Sequence, residues 1–258
     1  MSEVRKDPLP QTAMHPGPVW NWKDVFLISL GSMLILLAGV LVLNRLGNFS
    51  FVGATPDEGP SLLDNVVLAG LETIALVGSV YLLGMRRRGW DWSRLGLRLP
   101  SSGWMWSAVL IAFVFIPLMG LVALFIQTIL GLPAENPQLP FLAPKNFSWL
   151  GAVGMILLGG LAVPFAEELF FRGVLYVWLR DRLGFWAAVL ISSMIFGALH
   201  GEVSVAGATF VMGLALAWFY ERSKSLWPSI FIHALNNSLK LILLYTLIAS
   251  GVTIPGIQ

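Results

Sequence analysis

The chain has 258 residues, of which 57% are hydrophobic and only 12% are charged, and its mean hydropathy is +0.78. About a quarter of the residues of an ordinary soluble domain are charged, so this composition excludes such a domain and indicates an integral membrane protein. The absence of cysteine excludes disulfides, a thiol nucleophile and cysteine-ligated zinc. The net charge of +2, with no basic stripe, gives no reason to expect a nucleic-acid partner.

Seven apolar runs follow a polar segment, residues 1–24, which we expect to be cytosolic. A long run can cross a hydrocarbon core of about 30 Å as a helix that rises about 1.5 Å per residue. No small-residue cleavage site follows the first run, so we interpret it as a retained anchor. The sequence therefore predicts an all-α, polytopic bundle of about seven transmembrane spans in one domain, residues 25–258. The predicted spans are 25–43, 62–85, 104–130, 148–172, 185–200, 203–220 and 226–250.

Basic residues are unevenly distributed between the two ends of these spans. If the spans alternate in direction, only Arg45 and Lys145 fall on one side. Cytosolic loops are enriched in Lys and Arg, so we expect the N-terminus to be cytosolic and the C-terminus to face outward. The basic residues on the cytosolic side are Arg5, Lys6, Lys23, Arg86, Arg87, Arg88, Arg94, Arg98, Arg180, Arg182, Arg222 and Lys224. Tryptophans on that side are predicted interface anchors: Trp20, Trp22, Trp90, Trp92, Trp104 and Trp106.

The fourth predicted span contains two adjacent carboxylates and an arginine, in the sequence PFAEELFFRG. An ionisable group inside a span is costly unless it is paired, and it indicates a functional site by default. Glu168 and Arg172 are four residues apart on one helical face and can form an ion pair. Glu167 is turned about 100° from Glu168, which leaves it as the unpaired carboxylate and a candidate general base. The alternative is a buried ion-pair network that only joins helices.

Two of the three histidines lie in predicted spans, and His15 lies in the polar N-terminal segment. His200 ends the sequence FGALH, and His233 begins HALNN. His233 and Asn237 are four residues apart, so one helical face presents an imidazole and a carboxamide that can donate hydrogen bonds to an oxyanion. A lone histidine in a span is more often a packing residue. Together with Glu167, however, these groups indicate acyl hydrolysis by activated water, since no H-E-x-x-H or G-x-S-x-G motif is present.

Three motifs, in their order along the chain, resemble those of the CPBP family, which includes CAAX prenyl endoproteases and bacteriocin-processing or immunity proteins. They are EELFFR at 167–172, FGALH at 196–200 and HALNN at 233–237, and the resemblance covers about residues 150–250. The resemblance implies a catalytic core in this part of the chain. It also implies a site on a helical bundle embedded in the membrane.

Roles for the motif residues follow from the same resemblance. It implies that Glu167 activates water with the help of His200. It implies that His233 and Asn237 stabilise the tetrahedral oxyanion. The supporting motif residues would be Glu168 and Arg172.

A metal ion is the open question of mechanism. Glu167, His200 and His233 could bind zinc through two histidines and a carboxylate, with water in the fourth position. We favour catalysis without a metal or another cofactor, because the pair of His233 and Asn237 is better explained as an oxyanion hole.

The sequence therefore predicts an intramembrane endopeptidase in a prokaryotic cell membrane, with its active site open toward the cytosol. Its partners would be the lipid bilayer and a peptide or protein substrate, with or without a lipid. One alternative is a proton-coupled transporter, since buried Glu and His side chains also build proton relays. Another is a non-catalytic interaction protein of the bacteriocin-immunity type.

Two further charges lie in predicted spans outside the motifs. Lys240 follows His233 by seven residues, so it lies within about 20° of the same helical face. Glu72, in the second span, lies at nearly the same predicted depth. Because each charge is costly alone in hydrocarbon, we predict an interhelical ion pair between Glu72 and Lys240.

Overall fold

The computed structural model describes residues 20–46, 61–134, 138–143 and 147–252, and seven helices of at least 14 residues account for most of them. No strand occurs in these described ranges, so the predicted all-α class is confirmed. Helical turns at Trp92–Leu95 and Leu139–Leu142 lie in two of the connections. The helices are α1 (Trp22–Arg45), α2 (Leu62–Arg88), α3 (Ser102–Leu130), α4 (Trp149–Leu183), α5 (Phe185–Ala198), α6 (Val203–Ser223) and α7 (Trp227–Ala249).

Six of the seven helices are long and apolar enough to cross a membrane, and α5, with 14 residues, is the shorter exception. Large apolar side chains on their outer faces are exposed, for example Phe113, Leu121 and Phe125 of α3. Such a surface suits a hydrocarbon solvent, which confirms the predicted polytopic membrane protein. The cytosolic location of the N-terminus stays a prediction, and three basic residues used for it lie outside the described ranges: Arg5, Lys6 and Lys145.

The start of α1 is tied to two other helices. Asn21 and Asp24 cap the helix reciprocally through their side chains and backbone amides, and Asp24 also pairs with Arg88 at the end of α2. Trp20 is fully buried, and its indole N–H donates to the carbonyl oxygen of Gly173 in α4 at 2.7 Å. The prediction that Trp20 anchors the membrane interface is therefore wrong. An exposed indole, such as that of Trp106, is still available for that role.

Helix α4 continues to Leu183, beyond its predicted end at residue 172, and contains two π-helical turns, Leu158–Ala162 and Phe171–Tyr176. Pro164 explains the first, because proline has no N–H to donate to the carbonyl of Gly160 four residues earlier. That carbonyl instead accepts a hydrogen bond from Ser238 Oγ of α7, at 3.0 Å. A Cβ on Gly160 would lie 2.6 Å from the same hydroxyl oxygen, so glycine permits the close approach of α7 to α4.

The middle of α4 lies in the interior of the bundle. Every residue from 166 to 177 is buried, whereas a helix on the surface of a bundle exposes one face. Helices α2 and α7 pack against α4 beside this stretch, and α5 and α6 form a close neighbouring pair. Glu167, Glu168 and Arg172, the charged residues of this stretch, are therefore enclosed by protein and do not face lipid.

Candidate active site

Arg172, Glu168 and His233 form a continuous polar chain between α4 and α7. Arg172 Nη1 donates to Glu168 Oε1 at 2.9 Å, and His233 Nδ1 lies 3.1 Å from the same oxygen. All three residues are at most 1% exposed. The predicted ion pair of Glu168 and Arg172 is confirmed. Charges buried this deeply need such partners, because desolvation otherwise outweighs their attraction.

Glu167 approaches the same imidazole from its other ring nitrogen. Its Oε2 lies 3.5 Å from His233 Nε2, so the ring lies between two carboxylates that are adjacent in sequence. A carboxylate accepts hydrogen bonds, so the contact with Glu168 fixes a proton on Nδ1. Nε2 is then the ring nitrogen that can exchange a proton with Glu167.

The guanidinium of Arg172 also joins α4 to α5 and α6. Arg172 Nη2 donates to the carbonyl oxygen of Gly213 in α6 at 3.2 Å. Its guanidinium carbon lies 4.5 Å from the ring centroid of Phe196 in α5, a cation–π distance. One buried side chain thus links three helices around the site.

His200 lies just after α5 and is oriented by that helix. Its Nδ1 lies 2.8 Å from the carbonyl oxygen of Phe196, and since a carbonyl only accepts, Nδ1 is the donor. The ring of Phe196 lies 5.0 Å from the ring of His200 and 5.6 Å from that of His233, so it stands between the two histidines. Within the described ranges, no hydrogen bond or ion pair joins His200 to Glu167.

Asn237 is partly buried, and its Oδ1 accepts a hydrogen bond from Asn236 Nδ2 at 3.1 Å. Asn236 is only 2% exposed and was not a predicted site residue. Helical spacing was the signal that could have identified it, since three residues after His233 correspond to a rotation of about 60° from that face. The structure thus brings Glu167, Glu168 and His233 together, with the two asparagines one turn along α7.

The predicted ion pair between Glu72 and Lys240 is wrong, since no ion pair joins these two described residues. The reason is the packing of α2, which lies against α4. Gly70 of α2, for example, faces Leu158 of α4.

The metal-ligand set considered from the sequence does not fit this arrangement. No three His, Asp or Glu side chains in the described part of the chain are gathered closely enough to hold a metal ion. Glu167 and His233 meet, but the ring of His200 is hydrogen-bonded to the backbone carbonyl of Phe196 in α5. The residues as they lie do not form a zinc site of two histidines and a carboxylate.

Residues 149–239 match the family model described as "Type II CAAX prenyl endopeptidase Rce1-like". The chain is also 34% identical, over 89 residues, to the "Putative membrane peptidase YdiL" of Bacillus subtilis (strain 168). That alignment covers 34% of this chain and 36% of the relative, so the similarity spans little more than a third of either protein. No solved structure matches the chain. The stretch matched by the family model contains all the motif residues that form the site.

Proposed function

We propose that the chain belongs to the CPBP family, which the match of residues 149–239 supports, and that it is a membrane endopeptidase that cleaves a peptide bond with activated water. The observation that carries this proposal is the imidazole of His233 held between Glu167 and Glu168. A carboxylate and an imidazole in contact inside a membrane domain can move a proton without exposing it to lipid.

Glu167 is the proposed general base. It takes a proton from a water molecule, and the water oxygen forms a bond to the carbonyl carbon of the substrate. Glu167 Oε2 and His233 Nε2 are 3.5 Å apart, which supports transfer of that proton to Nε2. The proton then goes to the nitrogen of the leaving amine as the C–N bond breaks, which returns both groups to their first state.

Glu168 and Arg172 are the proposed positioning residues. Glu168 holds the proton on Nδ1 of His233, which keeps Nε2 as the nitrogen that exchanges protons. Arg172 neutralises Glu168 and fixes its rotamer. This arrangement explains why two adjacent carboxylates are useful, because one orients the imidazole while the other reacts with water.

Asn237 and His233 are the proposed oxyanion donors. They lie on one face of α7. His233 donates through Nε2 once Nε2 has received the proton from Glu167, and Asn237 donates through Nδ2, since its Oδ1 accepts from Asn236. Hydrogen bonds to the carbonyl oxygen strengthen as that oxygen becomes negative, and so they lower the barrier. His200, oriented by Phe196, would assist Glu167 in holding the water.

The proposed substrate is a peptide or protein segment at the membrane surface. The family description names CAAX prenyl endopeptidases, so a prenylated C-terminal peptide is the substrate class to test first. We place the opening of the site on the cytosolic side of a prokaryotic cell membrane, because the basic loops indicate that orientation.

The proposal is tested with purified protein in detergent and a fluorogenic peptide library. Cleavage is expected with wild type and is expected to be abolished in Glu167→Gln, which keeps size but loses the base. Asp91→Asn, an exposed carboxylate outside the helices, is the matched control and should retain activity. Full cleavage by Glu167→Gln would overturn the proposed mechanism, and no cleavage by wild type of any peptide or membrane protein would overturn the function.

The substrate is identified by two further measurements. Peptides of one sequence with and without a farnesyl group are compared for kcat/KM, and a preference for the farnesylated peptide is expected. Protein termini in membrane and secreted fractions are then compared between cells with wild type and with Glu167→Ala. A terminus that is present only with wild type names the natural substrate.

A further inference from the structure

Asn236 has a buried amide group with one hydrogen-bond partner among the described residues. The residue is 2% exposed, and its Nδ2 donates to Asn237 Oδ1 at 3.1 Å. Its own Oδ1 is buried and has no hydrogen-bond partner among the described residues. A buried carboxamide is costly in a transmembrane helix, and an unpaired acceptor increases that cost. An unpaired buried acceptor calls for an explanation, and a role in a functional site is one such explanation.

The position of Asn236 on α7 places it beside the site. His233, Asn236 and Asn237 occupy a sector of about 100° on the helix, with His233 between the two asparagines in projection. Asn237 is the less buried of the two, while Asn236 is almost fully enclosed by the bundle. Ser238, the next residue, is bonded to α4 through Gly160, so this turn of α7 is held against the helix that carries Glu167.

A carboxamide can present either its oxygen or its nitrogen to a substrate. Only the nitrogen of Asn237 can stabilise an oxyanion, because the oxygen would repel it. A donor on the Oδ1 side of Asn237 selects the useful orientation, since it holds Oδ1 toward Asn236 and leaves both N–H groups of Asn237 available to a substrate.

We propose that Asn236 is a positioning residue for the oxyanion hole: its Nδ2 holds Asn237 Oδ1 and so directs Asn237 Nδ2 toward the carbonyl oxygen of the substrate. This inference rests on the proposed endopeptidase function and on the role of Asn237 in it. Asn236 itself does not touch the reacting atoms.

The test is a double-mutant cycle in kcat with Asn236→Ala, Asn237→Ala and the double variant. Asn236→Ala should lower kcat about tenfold with KM unchanged, the effect of one neutral hydrogen bond that acts in the transition state. In the Asn237→Ala background the same substitution should change kcat less than about twofold, because the group it orients is gone. A purely structural role would lower kcat by equal factors in both backgrounds.

Two further variants isolate the donor. Asn236→Asp keeps the size and the acceptor but loses the N–H, so it should lose at least as much kcat as Asn236→Ala. Thr246→Ala removes a polar group of the same helix that bonds only to its own backbone, and it should leave kcat unchanged. The cycle repeated on the melting temperature should also show coupling, since the two asparagines are in contact.

The results distinguish the role of Asn236, the role of Asn237 and the mechanism of Glu167. Equal factors in both backgrounds, or full activity of Asn236→Asp, overturns the positioning role of Asn236. Unchanged kcat in Asn237→Ala, with Glu167→Gln inactive, overturns the oxyanion role of Asn237 and the inference with it, while the endopeptidase function stands. Full activity of Glu167→Gln overturns the proposed mechanism itself.

Discussion

His233 is held at both ring nitrogens by carboxylates that follow each other in the sequence. Side chains at successive positions of an α-helix point about 100° apart, so two neighbours rarely reach the same group. They converge here because the imidazole enters from α7 and presents one nitrogen to each. An E-E pair opposite a histidine therefore works as a clamp that fixes the tautomer as well as the orientation of the ring.

This clamp predicts that His233 matters more for turnover than Asn237. Asn237→Ala should lower kcat by about 10²- to 10³-fold, the usual loss for one oxyanion donor. His233→Ala should lower kcat further, because it removes both a donor and the proton relay, and His200→Ala should abolish turnover. Steady-state kinetics on a cleaved peptide check this order. A His233→Ala variant more active than Asn237→Ala would contradict the relay.

Because Glu168 and Arg172 form a buried ion pair, we expect that removing one of them destabilises the protein more than removing both. Arg172→Met should destabilise the protein by about 3–5 kcal/mol, because it leaves the Glu168 carboxylate buried without its cation. The double variant Glu168→Gln/Arg172→Met should recover much of this loss but remain inactive, because His233 loses the carboxylate that orients it. Thermal unfolding in detergent and peptide cleavage measure the two effects. Equal destabilisation of the single and double variants would contradict the pairing argument.

A metal requirement is tested directly on the purified protein. Exhaustive chelation is expected to leave cleavage intact, with less than one zinc per chain by elemental analysis, because no three ligands in the described part of the chain converge. Zinc at one equivalent, whose removal and return track activity, would contradict this expectation. A thermal-shift measurement with added zinc provides a readout that does not depend on activity.

Helical spacing was enough to predict some contacts of the site but not others. The pair of Glu168 and Arg172 lies within one helix, so its spacing of four residues determines it. The approach of Glu167 to His233 depends on which faces of α4 and α7 pack together. A sequence does not specify those crossings. The same limit explains the wrong partner predicted for Lys240.

At the scale of elements, the two π-helical turns of α4 lie on either side of the carboxylates. Such turns are frequent at functional sites, since they release backbone groups and change the direction of side chains. Pro164 and Gly160 give a sequence cause for the first turn. The sequence also predicted seven helices, but it ended α4 at Arg172, although the apolar run continues through residues 173–179 and the helix ends only at Leu183.

The close contact of α4 with α7 predicts that Gly160 tolerates no side chain. Gly160→Ala should lower stability by about 1–3 kcal/mol, because its Cβ would meet the side chain and the backbone of Ser238. Gly78→Ala is the matched control, since that glycine lies in α2 with no atom near its added Cβ, and it should leave stability unchanged or raise it. Melting temperatures in detergent compare the two. Equal shifts would contradict the close approach.

At the scale of the whole molecule, the orientation in the membrane is open to a direct test. The chain has no cysteine, so single-cysteine variants have no background labelling. Arg87→Cys, at the end of α2, and Leu132→Cys, after α3, are both exposed and lie at predicted opposite surfaces. In intact cells an impermeant maleimide should label Leu132→Cys and should label Arg87→Cys only after permeabilisation. The reverse pattern would contradict a cytosolic N-terminus.

The short length of α5 has a consequence for the lipid around it. Fourteen residues rise only about 21 Å, which is about 9 Å less than a typical hydrocarbon core. A helix this short can be accommodated by a thinner bilayer beside it, by polar groups at its ends or by packing against other helices. His200 follows the end of α5, so this local mismatch lies next to the candidate site. We therefore expect the acyl-chain length of the bilayer to affect the site.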